Sequence, residues 1–320
     1  MKIQSNPMKQ NSLIAATFAV IAILSPARAT LLVYEGFNGY STGSLVGQTA
    51  SSSTIGLTGN YQSVGGTSLS AVSSGLTLGN LVVSGGAANS SSQTAAAIGV
   101  AFSNSVSATG TIYSSYLAQI NTSPTSPSDS ALYMGTGSSP TGTNATRTFK
   151  SYGVSGSGAN TPGIAYGATD IMSPSPALSL NTTYAIVARY TRVGSTLSVG
   201  SPGVATLWVL TADQFNYFSI GGFSDAELDA ATVGSGATNV YNTLTQTVTS
   251  GSYTFDNTKA LQFSTTAANG ASSFYMDEIR WGTSLNDVLP IPEPQVVVLL
   301  AISAGLLLVS RKRREAKMVP

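Results

Sequence analysis

The chain is 320 residues long with neither cysteine nor histidine, which excludes zinc sites built on those ligands, cysteine nucleophiles and any Ser-His-Asp triad. Its formal charge of +1 is unevenly spread: residues 30–290 hold six Lys/Arg against eleven Asp/Glu, a net −5, and the other cations sit at the two ends. A mildly acidic middle lacks the basic face that phosphate neutralisation needs, which argues against nucleic acid as a partner.

At the N-terminus Lys2 and Lys9 precede an apolar run from Leu13 to Leu24, which Ser25-Pro26 breaks before Ala27-Arg28-Ala29. A positive start, a short apolar core and a small-x-small site describe a secretory signal peptide over 1–29, with cleavage between Ala29 and Thr30. Residues 30–288 then form the ectodomain. A secreted domain without disulfides needs a large core; 42 % apolar residues with 14 Tyr and 10 Phe supply one.

Short apolar or alternating runs bounded by Gly, Ser, Asn and Pro predict strands throughout this region. They run from Leu31 to Phe37, Ile55 to Gln62, Leu76 to Ser84, Ile98 to Phe102 and Thr111 to Ile120. Ala131 to Gly135, Arg147 to Val154 and Gly163 to Gly167 are shorter. Tyr184 to Arg192 alternates most clearly, with Tyr184, Ile186, Ala188 and Tyr190 on one face and Ala185, Val187, Arg189 and Thr191 on the other. Val204 to Leu210 and Ser273 to Trp281 complete the series. Thr211-Ala-Asp-Gln214 and Ser224-Asp-Ala-Glu227 are capping-box sequences and predict two short surface helices. The whole pattern predicts an all-β fold, an antiparallel sandwich with one or two short helices.

The C-terminus has three parts. A proline-rich linker over 289–294 leads to an apolar segment over 295–310, then to a basic tail over 311–320 that opens with Arg311, Lys312, Arg313 and Arg314. Fourteen residues from Val296 to Val309 contain only Ser303 as a polar side chain, and as a helix they span about 21 Å. That is shorter than the ~30 Å hydrocarbon core, but the adjoining residues lengthen it, and the four cations form a stop on the cytoplasmic side. The segment is therefore expected to be a transmembrane helix.

Pro292-Glu293-Pro294, an apolar stretch and an Arg-rich terminus resemble the C-terminal sorting signal of PEP-CTERM proteins, which are exported bacterial proteins. Glu315 to Pro320 extends beyond that pattern. The resemblance implies processing near the motif by a membrane-embedded exosortase, then a cell-surface or extracellular location. A second resemblance spans most of 31–288. Tyr34-Glu-Gly-Phe37, Tyr184 to Arg192 leading into Leu207-Trp208-Val209, and Met276-Asp-Glu-Ile-Arg280-Trp-Gly-Thr283 look like laminin-G-like, concanavalin A-like jelly rolls. It implies two stacked antiparallel sheets with the first and last strands close together. Such folds include lectins, glycanases and structural modules, so the fold does not choose a function.

No catalytic or cofactor-binding residue stands out. Asp225, Glu227 and Asp229 form a dense carboxylate cluster, whereas glycanases of the resembled fold carry Glu-x-Asp-x-(x)-Glu on a strand. Ser224 and Glu227 instead mark a helix start, where residues two apart face different sides and carboxylates suit the helix dipole. Asp277 and Glu278 lie beside Arg280 on the last predicted strand, and at least one of them must face the core and take hydrogen bonds there. Asp277 and Asp256 are the candidate calcium ligands, but no Asp-rich loop supplies the remainder of the ~6–8 oxygens that ion takes. Trp208 and Trp281 read as core residues. The expectation is an exported, non-catalytic surface or matrix protein, membrane-anchored before processing and associated with polysaccharide; a glycanase or a lectin-like module is the alternative. N-terminal sequencing of the exported protein should begin at Thr30, and a mature form beginning at Met1 would refute the signal-peptide reading.

Overall fold

The computed structural model describes residues 30–290, apart from 67–68, 91–95, 123–127, 136–148, 156–159, 168–169, 174–175, 259 and 268–272. The signal segment with Ala27 and Ala29, the Pro292-Glu293-Pro294 motif, the apolar segment 295–310 and the basic residues Arg311, Lys312, Arg313 and Arg314 lie outside the described residues. Among the described residues no helix is long and apolar enough to cross a membrane.

Two antiparallel sheets account for the fold, an all-β jelly-roll sandwich. The nine-stranded front sheet runs Asn242–Val248, Gly203–Leu210, Thr183–Val193, Gly110–Ile120, Phe274–Gly282, Ala87–Ser90, Ser70–Val72, Gly43–Ser44. Leu31–Glu35 is its ninth strand and pairs with residues 279–282 of Phe274–Gly282, beside the stretch 274–276 that Ala87–Ser90 takes. First and last strands are therefore hydrogen-bonded neighbours, as expected. The seven-stranded back sheet runs Asp170–Met172, Thr161–Tyr166, Phe149–Ser155, Ser128–Gly135, Ala260–Ala267, Ala96–Phe102, Leu57–Gly66.

The period of two explains the layering. Tyr184, Ile186, Ala188 and Tyr190 join the core between the sheets. There Phe149 meets Tyr190 edge-on at 5.0 Å between ring centres, and Tyr190 stacks on Trp281 at 6.1 Å. The opposite face of the same strand, Ala185 and Val187, is buried as well, in a second core with Trp208 and Leu210. Three short helices and a loop cover it: α1 (Ala212–Ser219), α2 (Asp225–Ala230), α3 (Leu285–Val288) and residues 74–84. The fold thus has a third layer.

This layer corrects two expectations. Leu76 to Ser84 is not a strand; the segment has no ladder partner, turns at Gly79-Asn80 with the Leu81 amide donating to the Leu78 carbonyl at 3.0 Å, and lowers Leu76, Leu78 and Leu81 onto the front sheet. Its leucines record contact with a surface beneath it, not pairing within one. Likewise α1 is no mere surface helix, because Phe215 and Phe218 plug the second core while only Asp213, Tyr217 and Ile220 are well exposed. Its capping box, Thr211 with Gln214, forms as the sequence predicts. Asn242–Val248 and Ala260–Ala267 are strands that apolar periodicity alone did not mark: the first is built largely on Thr and polar residues, which suit a half-buried pleated surface.

Phe215 is fully buried between α1 and the front sheet, whereas Ile220 at the end of that helix is 80 % exposed. Chemical denaturation should show Phe215→Ala losing about 3–5 kcal/mol, and Ile220→Ala should stay within about 0.5 kcal/mol of the parent. Equal effects would contradict a third layer that carries stability.

Candidate functional site

Carboxylates are the natural place to look for chemistry in a chain without histidine or cysteine, and three of them are buried where the first and last strands meet. Glu35 and Asp277 have no exposed surface, and Glu278 has 1 %. Sequence alternation would place only one of Asp277 and Glu278 on the covered side. A β-bulge changes this: Asp277 pairs with Leu117 but Arg280 pairs with Ser115, so one extra residue is inserted, and Glu278 adopts φ +52. Met276, Ile279 and Trp281 therefore fill the inter-sheet core, while Asp277, Glu278 and Arg280 engage the 74–84 loop on the other side.

Each of these groups is committed to internal bonds. Asp277 Oδ2 accepts from the Leu76 amide at 2.8 Å and its Oδ1 from the Glu278 amide at 2.7 Å. Glu278 Oε1 accepts from the Ser84 amide at 2.6 Å and the Tyr34 hydroxyl at 3.1 Å, and Oε2 from Arg280 at 2.5 Å. Arg280 also donates to the Val82 carbonyl at 3.2 Å and lies 4.5 Å from the centre of the Tyr34 ring. The loop crosses so closely that a Cβ on Gly75 would come within 2.8 Å of both Asp277 Oδ2 and the Gly85 carbonyl oxygen. On the inner side of the sheet, Glu35 accepts from the Phe37 amide at 2.7 Å, from Tyr40 at 2.7 Å and from Tyr61.

Burial dominates the electrostatics here. It raises Asp277 from the usual 3.8 to about 8, against its two amide donors and with the help of Glu278 and Glu35 nearby. Burial also raises Glu35, opposed by hydrogen bonds from Tyr61, Tyr40 and the Phe37 amide. The Tyr34 phenol rises to about 12, chiefly through desolvation.

The Asp225, Glu227, Asp229 cluster sits on α2, whose start Ser224 caps with its hydroxyl accepting from the Glu227 amide at 3.2 Å, but the return bond from the Glu227 side chain that would complete the expected capping box does not form. Asp225 and Asp229, one turn apart, share a face and converge on Arg189 Nη1 at 3.1 and 3.0 Å. Glu227 is exposed. Arg189 lies 5.0 Å over the Trp208 ring, and the Tyr113 hydroxyl donates to Asp225 at 2.6 Å. The guanidinium thus occupies the space between the two carboxylates and clamps α2 to the front sheet. Trp208 and Trp281 are both fully buried, as read from sequence.

Asp256, the other calcium candidate, accepts from the Thr258 amide at 2.9 Å and from its hydroxyl, a local turn. Among the described residues no group of three or more acidic side chains is placed to hold a metal ion. Thr30 pairs back to back with Thr283, its amide donating to the Thr283 hydroxyl and its carbonyl accepting from the Thr283 amide, both at 3.2 Å. At the other end Leu289 is packed in the second core and the Pro290 carbonyl accepts from Val82 at 3.4 Å.

One open cleft, about 380 Å³, lies at the far end of the front sheet between Thr77 and Leu78, the turn Asn181–Thr183 and the start of α1 at Asp213. No sequence signal marked it, because its walls come from three segments far apart in the chain, 77–78, 181–183 and 211–213.

No family matches the sequence, and no characterised protein matches it either. Among solved structures the chain is similar to the binding domain of Paraclostridial Mosquitocidal Protein 1 at 10 % identity and a TM-score of 0.43, over 80 % of this chain and 50 % of that one. It spans only about half the length of that protein. It is also similar to the Emp47p carbohydrate recognition domain (9 % identity, TM-score 0.41, 79 % of this chain and 98 % of that one). The globular domain of T. cruzi calreticulin is a third (9 % identity, TM-score 0.43, 89 % and 100 %).

The raised Asp277 gives a signed pH dependence. Because the folded state holds this proton more tightly than the unfolded chain, its contribution is complete below about pH 4 and is lost as pH rises toward about 8. The urea midpoint should therefore fall between pH 5 and pH 8.5, and Asp277→Asn should flatten that slope, leaving the part due to Glu35. A slope unchanged by Asp277→Asn would contradict the assignment.

Proposed function

We propose that this is an exported, non-catalytic protein of the cell surface or extracellular matrix, and that its sandwich associates with polysaccharide. Residues 1–29 direct export, 295–310 hold the chain in the membrane against Arg311 to Arg314, and an exosortase-type protease processes it near Pro292-Glu293-Pro294. The two ends of the folded unit suit this arrangement. Thr30 is hydrogen-bonded to Thr283, and Pro290 follows seven residues later, after the single turn of α3.

The observation that carries the non-catalytic reading is the commitment of the carboxylates. A glycanase needs two carboxyl groups about 5–10 Å apart flanking the scissile bond, one protonated and one ionised. Asp277, Glu278 and Glu35 are buried with their oxygens facing backbone amides, tyrosines and Arg280. Asp225 and Asp229 are closest to such a pair, and Arg189 fills the position a substrate would need.

Incubating the purified protein with a panel of polysaccharides, with calcium and with a chelator, tests the reading. Retention without release of reducing ends, equal in both conditions, is expected. Release of reducing ends would establish a glycanase, and failure to be retained by any polymer would leave a purely structural role.

A further inference from the structure

The cleft at the far end of the front sheet has a chemistry of its own. Asn181, Asp213 and Thr77 all line it, and none of their side chains has a hydrogen-bond or ionic partner among the described residues. Asn181 has φ +55, and its amide nitrogen donates to the Ile120 carbonyl at 2.7 Å, which fixes the turn. Asp213 stands in the first turn of α1 behind the Thr211 cap, so its backbone is equally set. The floor is apolar, with Leu78 only 2 % exposed. Tyr217, one helical turn beyond Asp213 on the same side of α1, is 46 % exposed. A volume of about 380 Å³ falls within the ~300–1,000 Å³ of small-ligand sites.

The position is also consistent with a ligand arriving from outside. Thr183 pairs with Gln119 at this end of Gly110–Ile120, whereas Tyr113 on the same strand pairs with Gly282, next to Thr30. At ~3.3 Å per residue the cleft is about 20 Å along the strand from the place where the N-terminal segment joins.

We infer that this cleft binds a single uncharged sugar unit of the polysaccharide, with Asp213 accepting from a pair of sugar hydroxyls and Asn181 donating to them; this rests on the polysaccharide reading above. A carboxylate only accepts hydrogen bonds, while an amide both donates and accepts, so together they meet the mixed demand of adjacent hydroxyls. Among the described residues no Lys or Arg lines the cleft, so a carboxylated or sulfated unit would meet Asp213 unscreened and be disfavoured. The apolar floor suits the C–H face of the ring, and the Tyr217 ring can take the next unit of the chain.

Affinity electrophoresis of the purified protein in gels containing dextran, laminarin, galactomannan or alginate tests this. Retardation by at least one neutral polymer and none by alginate is expected. Asp213→Ala should weaken the retardation constant about tenfold or more, as loss of a charge-assisted pair of hydrogen bonds implies. Asn181→Gly should also weaken it, yet leave the melting temperature unchanged or higher, because glycine adopts positive φ without cost. A merely structural Asn181 would not separate the two readouts. If the parent binds a neutral polymer and both variants bind it equally well, the cleft assignment falls while the polysaccharide reading stands. If no polymer retards the parent, both fall; binding to alginate alone overturns the selectivity.

Discussion

A carboxylate removed from water costs on the order of several kcal/mol unless its lone pairs meet donors. Glu278 meets that demand with the Ser84 amide, the Tyr34 hydroxyl and Arg280, and Asp277, whose carboxyl burial raises to about 8, takes the Leu76 amide; the Leu76 and Ser84 amides belong to a loop with no ladder of its own. The last strand and the loop therefore need each other. Without the bulge at Glu278, one of the two acids would turn into the inter-sheet core with no partner there. With it, both face the loop, and Met276, Ile279 and Trp281 keep the core apolar.

From this attachment the rest of the outer layer follows. Fastening residues 74–84 brings Leu76, Leu78 and Leu81 over Leu117 and Trp208, which leaves a surface that α1 and α3 complete with Phe215, Phe218, Leu285 and Val288. The Arg189 clamp ties α2 to the same face. Both faces of the front sheet are then dry, so a sheet that would ordinarily alternate apolar and polar carries Ala185, Val187 and Trp208 outward. The cleft arises where this added layer stops short of the Asn181 turn.

Charge is scarce in this chain, 8 % of residues, and much of what the sandwich has holds its layers together. Tyr40, Tyr61 and Tyr34 act in the same way, each with its hydroxyl on a buried carboxylate, the rings of Tyr61 and Tyr40 in and beside the inter-sheet core and that of Tyr34 under Arg280. Hydroxyl–carboxylate bonds do here some of the fastening that disulfides do in other proteins. The surface left over is mostly Ser, Thr, Asn and Gly, suited to hydroxyl-rich neighbours.

Local rules were enough for the strands with a strict period of two, for the caps at Thr211 and Ser224, and for the burial of Trp208 and Trp281, since each depends on residues a few positions apart. The neighbouring of Leu31–Glu35 and Phe274–Gly282 came from family resemblance, not from periodicity. The slip at Glu278 left a trace in the spacing of Met276, Ile279 and Trp281, three then two, but Asp277-Glu278 alone does not reveal it. Leu76 to Ser84 is apolar enough to read as a strand, and only a folded chain shows that it turns at Gly79-Asn80 and that the surface below it, not a strand beside it, takes its leucines. The partners of Glu35, the convergence of Asp225 and Asp229 on Arg189, and the cleft walls were decided by tertiary structure, because each joins residues far apart in sequence. Periodicity reports which face of an element is buried; it carries no information about what buries it.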